Sequence, residues 1–417
     1  MIRRLAVAVV AASTFVLTSV PGHAGGNGGN DDAPADVLPE SFYRPPSRRL
    51  PPAHPGKVLR VEEMISADRW LPPGSDARTW RLLYTSTGFD GRPVAVSGIV
   101  FTPPGAPPKH GWPVISWAHG TVGIANKCAP SHAGRSLDYL AVVGDYLQLW
   151  LDAGYAVVAT DYEGLGTPGA HPYLNGLSEA YATADMVRAA RRARPLPRLA
   201  KDWAVVGHSQ GGQAALFTGV IADDYARELD FRGTVSLAPP SHWEVTFGLA
   251  PPPDVVNPGL AFLPLIFRGL AVARPEIDAE DYVTPYALQL WPLADELCFS
   301  PDLIQAAITL GLTTNNSLTR DLATDPALQA ALDAVSEPPL EGYDGPVYLA
   351  QGSADTTVPA PTVVALAGEL CAAGADLTFT LYAGTSHRGV LATSFADTLA
   401  WTERIFAGDA PASNCQP

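Results

Sequence analysis

The sequence predicts an α/β fold: a mostly parallel, doubly wound sheet with an inserted helical cap. Three observations lead there. β-rich runs alternate with helix-favouring stretches, a Gly207-His208-Ser209-Gln210-Gly211 turn joins one such run to the helix after it, and residues 239–338 break the alternation. Alternation of this kind sets strands side by side in parallel, with helices covering both faces.

Taken in order, the chain opens with Met1-Ile2-Arg3-Arg4, an apolar run from Leu5 to Val20, and Pro21-Gly22-His23-Ala24. A basic head, a hydrophobic segment and a small-residue cleavage site predict a secretory signal peptide over residues 1–24. The run is short of the roughly 20 apolar residues that span a bilayer, and Ser13, Thr14 and Thr18 interrupt it, so a transmembrane anchor is not expected. Residues 25–41 are mostly Gly, Asn, Asp, Ala and Pro, and predict a disordered leader.

The core is expected over 42–238 and 339–417. Trp80 to Ser86 and Val94 to Phe101, joined through Gly88-Phe89-Asp90-Gly91, predict an antiparallel hairpin. Then come a strand at Val114 to Ala118, a helix within 135–153, a strand at Ala156 to Asp161, a helix over 178–194, the strand Trp203 to Val206 and a helix from the Ser209 turn to about Leu229. Strands follow at Thr234 to Ala238, Val347 to Gln351 and Leu377 to Tyr382, with a helix from near Pro361. The interval 239–338 carries helix-like stretches and the prolines Pro251-Pro252-Pro253 and Pro264, and is expected to be the helical cap.

Composition narrows the function. At 417 residues with 47% hydrophobic content the chain can bury a large core, and a formal charge of -15 argues against binding nucleic acid or an anionic membrane through a basic surface. Four cysteines, Cys128, Cys298, Cys371 and Cys415, are an even number in a chain marked for export, which suggests two disulfides; spacing alone leaves all three pairings open. No metal-ligand spacing appears, and the chemistry proposed below needs no cofactor.

That chemistry centres on Ser209. A serine on a strand-to-helix turn, with glycines two before and two after, is held with its hydroxyl exposed at the top of a sheet. The hydroxyl needs an imidazole to take its proton and a carboxylate to orient the imidazole. Asp355, in Gln351-Gly352-Ser353-Ala354-Asp355, and His387, in Gly384-Thr385-Ser386-His387, both follow late strands in the order this fold requires. Each alone reads as an ordinary loop or capping residue; together with Ser209 they form a Ser-Asp-His triad. The backbone N–H groups of Gln210 and of Thr121, in His119-Gly120-Thr121-Val122-Gly123 after an earlier strand, are the expected oxyanion donors. His119 and His208 lack the late-strand position of a base and read as structural. Gly164 to Gly169 matches a dinucleotide fingerprint, but Pro168 and Pro172 forbid the helix that must open there, so it reads as a loop.

These stretches, with Ser41-Phe42-Tyr43-Arg44-Pro45-Pro46, Cys128-Ala129-Pro130-Ser131 and Asp161-Tyr162-Glu163-Gly164-Leu165-Gly166, resemble the secretory lipase family of fungi and actinobacteria, within the α/β-hydrolase superfamily. The resemblance implies a secreted ester hydrolase acting on acylglycerols at a lipid-water interface, a cap over the acyl site, and disulfides Cys128–Cys298 and Cys371–Cys415. Gly259 to Phe267, nearly all apolar, either lines an acyl tunnel, docks on lipid or forms the cap's own core; Trp243 carries the same ambiguity. The expected activity is a triacylglycerol lipase working as a monomer. A short-chain carboxylesterase, a serine peptidase and a catalytically retired binding protein are the alternatives, because the triad does not distinguish esters from amides and fold does not settle substrate.

Overall fold

The eight strands expected from the sequence and one further strand, β1, assemble into a nine-stranded sheet ordered β1-β2-β3-β5-β4-β6-β7-β8-β9, in a computed structural model that describes residues 40–46, 50 and 54–415. The expected signal peptide and nearly all of the leader lie outside the described residues. The first described element is a 3-10 turn at Glu40–Tyr43, where Phe42 and Tyr43 are already buried.

β1 (Val58–Glu63), β2 (Arg78–Thr87) and β3 (Pro93–Thr102) pair antiparallel. The β2–β3 hairpin closes through Gly88 and Gly91, Gly91 N–H donating to the Gly88 carbonyl at 2.9 Å. β3 runs antiparallel to β5 (Ala156–Thr160). From β5 onward all pairs are parallel, through β4 (Trp112–Ala118), β6 (Leu199–His208), β7 (Asp230–Leu237), β8 (Val347–Gly352) and β9 (Leu377–Tyr382). The chain leaves β4 toward β5 on one side and returns to β6 on the other. That reversal opens a crevice at the carboxyl ends of β4 and β6, where such sheets bind ligands.

Seven helices of ten residues or more stand among the described residues: α1 (Asp138–Asp152), α2 (Gly176–Arg192), α3 (Gln210–Tyr225), α4 (Leu263–Ala273), α5 (Pro326–Val335), α6 (Ala360–Ala372) and α7 (Gly389–Ala407). α2 and α3 bury their small residues, Ala182, Ala184, Ala189, Ala214 and Ala215, against Trp80, Val158 and Trp203 of the sheet. Small residues let helix and sheet approach closely, and each large apolar side chain buried there is worth about 1.5–3 kcal/mol. Two elements were not anticipated. β1 is a half-exposed edge strand with no clean alternation, and α7 begins two residues after His387.

Helices dominate between β7 and β8, with two isolated bridges, Val256 to Thr313 and Val283 to Leu318, in place of strands. This segment has its own core, including Leu265, Phe267, Tyr282, Leu303 and Leu328. Cys128–Cys298 joins it to the loop after β4, and Cys371–Cys415 joins α6 to the tail, the pairings that the resemblance implied.

The tail lies along β9, an edge strand. Asn414 N–H donates to the Leu377 carbonyl at 3.0 Å, its Oδ1 accepts from Phe379 N–H at 2.8 Å, and its Nδ2 donates to the Phe379 carbonyl at 2.7 Å. An amide side chain thus stands in for a neighbouring strand and covers an otherwise open edge. Removing the second disulfide with Cys371→Ser and Cys415→Ser together frees a loop with a sequence separation of 44. The chain-entropy cost is about 3–4 kcal/mol, so the thermal midpoint followed by circular dichroism should fall by several degrees.

Candidate active site

The turn after β6 is built by close backbone approach. A Cβ on Gly207 would lie 1.8 Å from the Gly211 carbonyl oxygen, and one on Gly211 would lie 1.9 Å from the Ala118 carbonyl oxygen. Glycine is therefore a steric requirement at both positions. Between them Ser209 takes φ 60 and ψ -124, a strained conformation for an L-residue. Its N–H donates to the Leu237 carbonyl at 2.8 Å, and its carbonyl accepts from Gly212 N–H at 2.8 Å and Gln213 N–H at 3.1 Å. Ser209 lines a cavity of about 490 Å³ together with Thr121 and Gln210.

Asp355 and His387, from the loops after β8 and β9, meet at 2.7 Å through Oδ2 and Nδ1. Asp355 is buried and fully satisfied: Oδ1 accepts from the N–H groups of Thr357 (2.8 Å) and Val358 (2.9 Å), and Oδ2 also accepts from Gln351 Nε2 at 3.2 Å. A carboxylate held this way is the acceptor for Nδ1–H, which leaves the other nitrogen of His387 as a lone pair. Thr356, Thr357 and Val358 line the cavity with Ser209. Ser209 Oγ has no hydrogen bond to a described residue.

His208 ties the three loops together. Its Nε2 donates to the His387 carbonyl at 2.9 Å, so Nδ1 accepts from Tyr139 Oη at 3.1 Å, and Tyr139 Oη in turn accepts from Gly120 N–H at 2.8 Å. The His208 and His387 rings stand 4.6 Å apart. Burial, with the neighbouring His387 second, drives the His208 pKa well below the usual imidazole value, so it works as a fixed neutral link. His119, reduced by burial to about 4, donates from Nδ1 to the Gly120 carbonyl at 2.7 Å. Both histidines are buried and held by hydrogen bonds within the protein.

Thr121 sits where the crevice opens, its Oγ1 2.6 Å from Tyr173 Oη. The next residue, Val122, accepts at its carbonyl from Phe299 N–H at 2.9 Å, one residue past Cys298. The helical segment therefore supports the loop that carries Thr121, and the Cys128–Cys298 bond closes that contact. Gln210 is buried, with its side chain turned inward to Glu179 and His171. Sequence reasoning missed this pair because neither lies in a recognisable spacing. The Gly164 to Gly169 segment is a turn, with α2 starting only at Gly176.

The apolar run Gly259 to Phe267 serves two ends. Leu260, Phe262, Leu263 and Ile266 line the cavity, and Leu260, Leu263 and Ile266 also pack with Leu265 and Phe267 in the segment's own core. Trp243 is buried and lines the cavity too.

A family model described as "Secretory lipase" matches residues 145–414. "Lipase A" of Moesziomyces aphidis is 24% identical over 411 residues, covering 90% of this chain and 81% of that protein. Candida antarctica lipase A superposes with a TM-score of 0.68 at 21% identity, over 92% of this chain and 88% of that one. A mutant of the rice cell wall degrading esterase LipA from Xanthomonas oryzae superposes with a TM-score of 0.65 at 19% identity, over 86% of this chain and all of that one, 100%. The shared fold is that of the α/β-hydrolases.

Tyr139→Phe removes one hydroxyl and leaves both Gly120 N–H and His208 Nδ1 unpaired in the interior. The expected cost is about 1–3 kcal/mol, read as a lower thermal or denaturant midpoint.

Proposed function

The chain belongs to the secretory lipase family and is a carboxylic ester hydrolase, and from that premise we propose that it is a secreted serine triacylglycerol lipase working through Ser209, His387 and Asp355. The observation that carries the reading is the 2.7 Å Asp355–His387 bond, with the His387 backbone held by His208, the residue before Ser209, and Ser209 itself lining an apolar cavity.

In this mechanism Ser209 Oγ attacks the ester carbonyl carbon while its proton passes to His387 Nε2. Asp355 Oδ2 accepts Nδ1–H, fixes the tautomer and stabilises the imidazolium that forms. The carbonyl oxygen becomes an oxyanion and takes hydrogen bonds from the N–H groups of Thr121 and Gln210. Gln210 opens the 16-residue α3, whose positive end favours the same charge. Collapse of the intermediate expels the alcohol, which takes the proton from His387 and leaves an acyl group on Ser209. A water molecule, deprotonated by His387, then attacks the acyl carbon, and collapse of this second oxyanion breaks the bond to Ser209 Oγ, which takes the proton back from His387 as the carboxylic acid leaves.

Residues 239–338 act as a cap, with Leu260, Phe262, Leu263 and Ile266 offered to the acyl chain. A cavity near 490 Å³ is within the range of about 300–1,000 Å³ common for small-molecule sites. Export through a signal peptide at residues 1–24 fits the two disulfides, and no described helix is long and apolar enough to cross a membrane. We take the working unit to be a monomer.

A second reading, a short-chain carboxylesterase, is favoured by one feature: the cavity also presents Asn257, Thr314, Asn315, Arg320 and Asp321, groups suited to a short or hydroxylated substrate.

Ser209→Ala should abolish hydrolysis of p-nitrophenyl esters without changing the circular dichroism spectrum; retained activity would remove Ser209 from the mechanism. Asp355→Asn should lower kcat by about 10⁴-fold through the wrong imidazole tautomer. A series from acetyl to palmitoyl esters, with emulsified triacylglycerol beside it, should favour long chains, and preference for short soluble esters would select the second reading.

A further inference from the structure

We propose that Glu179 is the positioning residue that holds both oxyanion-donor segments, Gln210 and Thr121, in register; the role rests on the hydrolase reading above. Glu179 lies in α2, fully buried behind the Ser209 turn. A single oxygen, Oε1, accepts from Gln210 Nε2 at 2.7 Å and from Leu174 N–H at 3.1 Å. It therefore joins the first residue of α3 to a wall of the cavity.

On the Gln210 side the clamp is complete. The second amide hydrogen goes to His171 Nε2 at 3.3 Å, and His171 Nδ1 donates to the Glu163 carbonyl at 2.8 Å, which leaves Nε2 as the acceptor. The side chain of Gln210 cannot rotate without stranding two buried acceptors. Its backbone N–H, the proposed oxyanion donor, belongs to a residue fixed at both ends.

The other side runs through the wall. Leu174 has φ 62, unfavourable for a residue with a Cβ, and the bond from its N–H to Glu179 helps to offset that strain. Tyr173, immediately before it, holds Thr121 Oγ1 at 2.6 Å. Removing the Glu179 carboxyl thus loosens Gln210 directly and Thr121 through the Tyr173–Leu174 segment.

Charge supports the same role. Oε2 has no partner among the described residues, and with Oε1 taking two N–H bonds the proton of the neutral acid resides on Oε2. Burial pushes the Glu179 carboxyl up to about 8, against the pull of Gln210 and Leu174. The titratable groups facing it are His171, lowered by burial to about 4, and Tyr162 and Tyr173, both raised by burial. All are uncharged near neutrality. Below about pH 8 Glu179 is a neutral clamp; above it, a carboxylate sits behind the site where negative charge develops and opposes the oxyanion. Because its folded-state pKa is raised, the stability it contributes is present at low pH and is lost as pH rises through about 8.

The test compares full-length wild type, Glu179→Ala and Glu179→Gln on a soluble p-nitrophenyl ester across pH. Glu179→Ala should lower kcat by about 30-fold and move KM by less than about threefold, the pattern of misplaced transition-state donors. Glu179→Gln keeps the acceptor oxygen and cannot ionise; it should recover most of that loss and remove the fall in kcat above about pH 8 that wild type shows. An unchanged kcat in Glu179→Ala, or an alkaline limb that persists in Glu179→Gln, overturns the proposal. Should Glu179→Ala fail to fold, Gln210→Ala carries the same expected fall in kcat, because it deletes the clamped amide and keeps the backbone N–H. Labelling with a fluorophosphonate separates the two levels: a wild type that does not label at Ser209 overturns the hydrolase reading, whereas normal labelling with an unmoved kcat overturns Glu179 alone.

Discussion

A backbone held at φ 60 and ψ -124 in a serine is an unfavourable arrangement, and much of the carboxyl edge of this sheet is organised around keeping it. Such strain costs on the order of 1–3 kcal/mol and persists only where surrounding contacts over-determine it. Here the N–H and the carbonyl of Ser209 are both bonded, and the two glycines beside it fit where no Cβ could stand. The same approach that forbids a side chain at Gly211 brings the end of β4 against the start of α3, so the loop carrying Thr121 and the helix beginning at Gln210 are placed by one contact. Tyr162 after β5 and Ala238 after β7 share the positive φ. Backbone strain gathers at the strand ends where the proposed chemistry takes place.

Much of this was legible in the sequence, for reasons that differ by element. The Ser209 turn, Asp355 and His387 could be found because sharp turns at parallel strand ends need particular residues in a particular order, and that order survives in one dimension. The central strands were legible because their near-continuous apolar runs leave little alternative. β1 was not, since a half-exposed edge such as Val58–Glu63 tolerates charge on both faces. α7 went unnoticed because a helix directly after a catalytic-type loop carries no distinct start signal at Arg388. Glu179 and His171 were hidden for another reason: they meet Gln210 across 31 and 39 residues, and a buried carboxyl looks like any other helical glutamate until its neighbours are known. Gly259 to Phe267 contributes both to the cavity lining and to the segment's own core, because residues about 100° apart around a helix face several directions at once.

Ionisable groups near the turn are kept mostly uncharged. His208, His119 and His171 are buried and neutral, each fixed by a backbone carbonyl, and Glu179 keeps its proton near neutrality. Asp161, just past the end of β5, is shifted in the same direction but less far: burial raises it to about 6, against the hydrogen bonds that Ser97 (2.6 Å) and Ser131 donate to its Oδ2. Neutral, directional partners orient loops without adding fields that compete with the one charge cycle the mechanism needs. The Asp355–His387 contact at 2.7 Å then stands out among these groups as the one carboxyl–imidazole pair.

The tail along β9 has a consequence for assembly. An edge strand with unpaired N–H and carbonyl groups is a template for other chains, and here it is occupied by Asn414, one residue before the Cys415 bond to α6. The cover is thus fastened by a linkage that forms only under oxidising conditions. With that linkage reduced, hydrogen bonds alone would hold the tail on the outer strand.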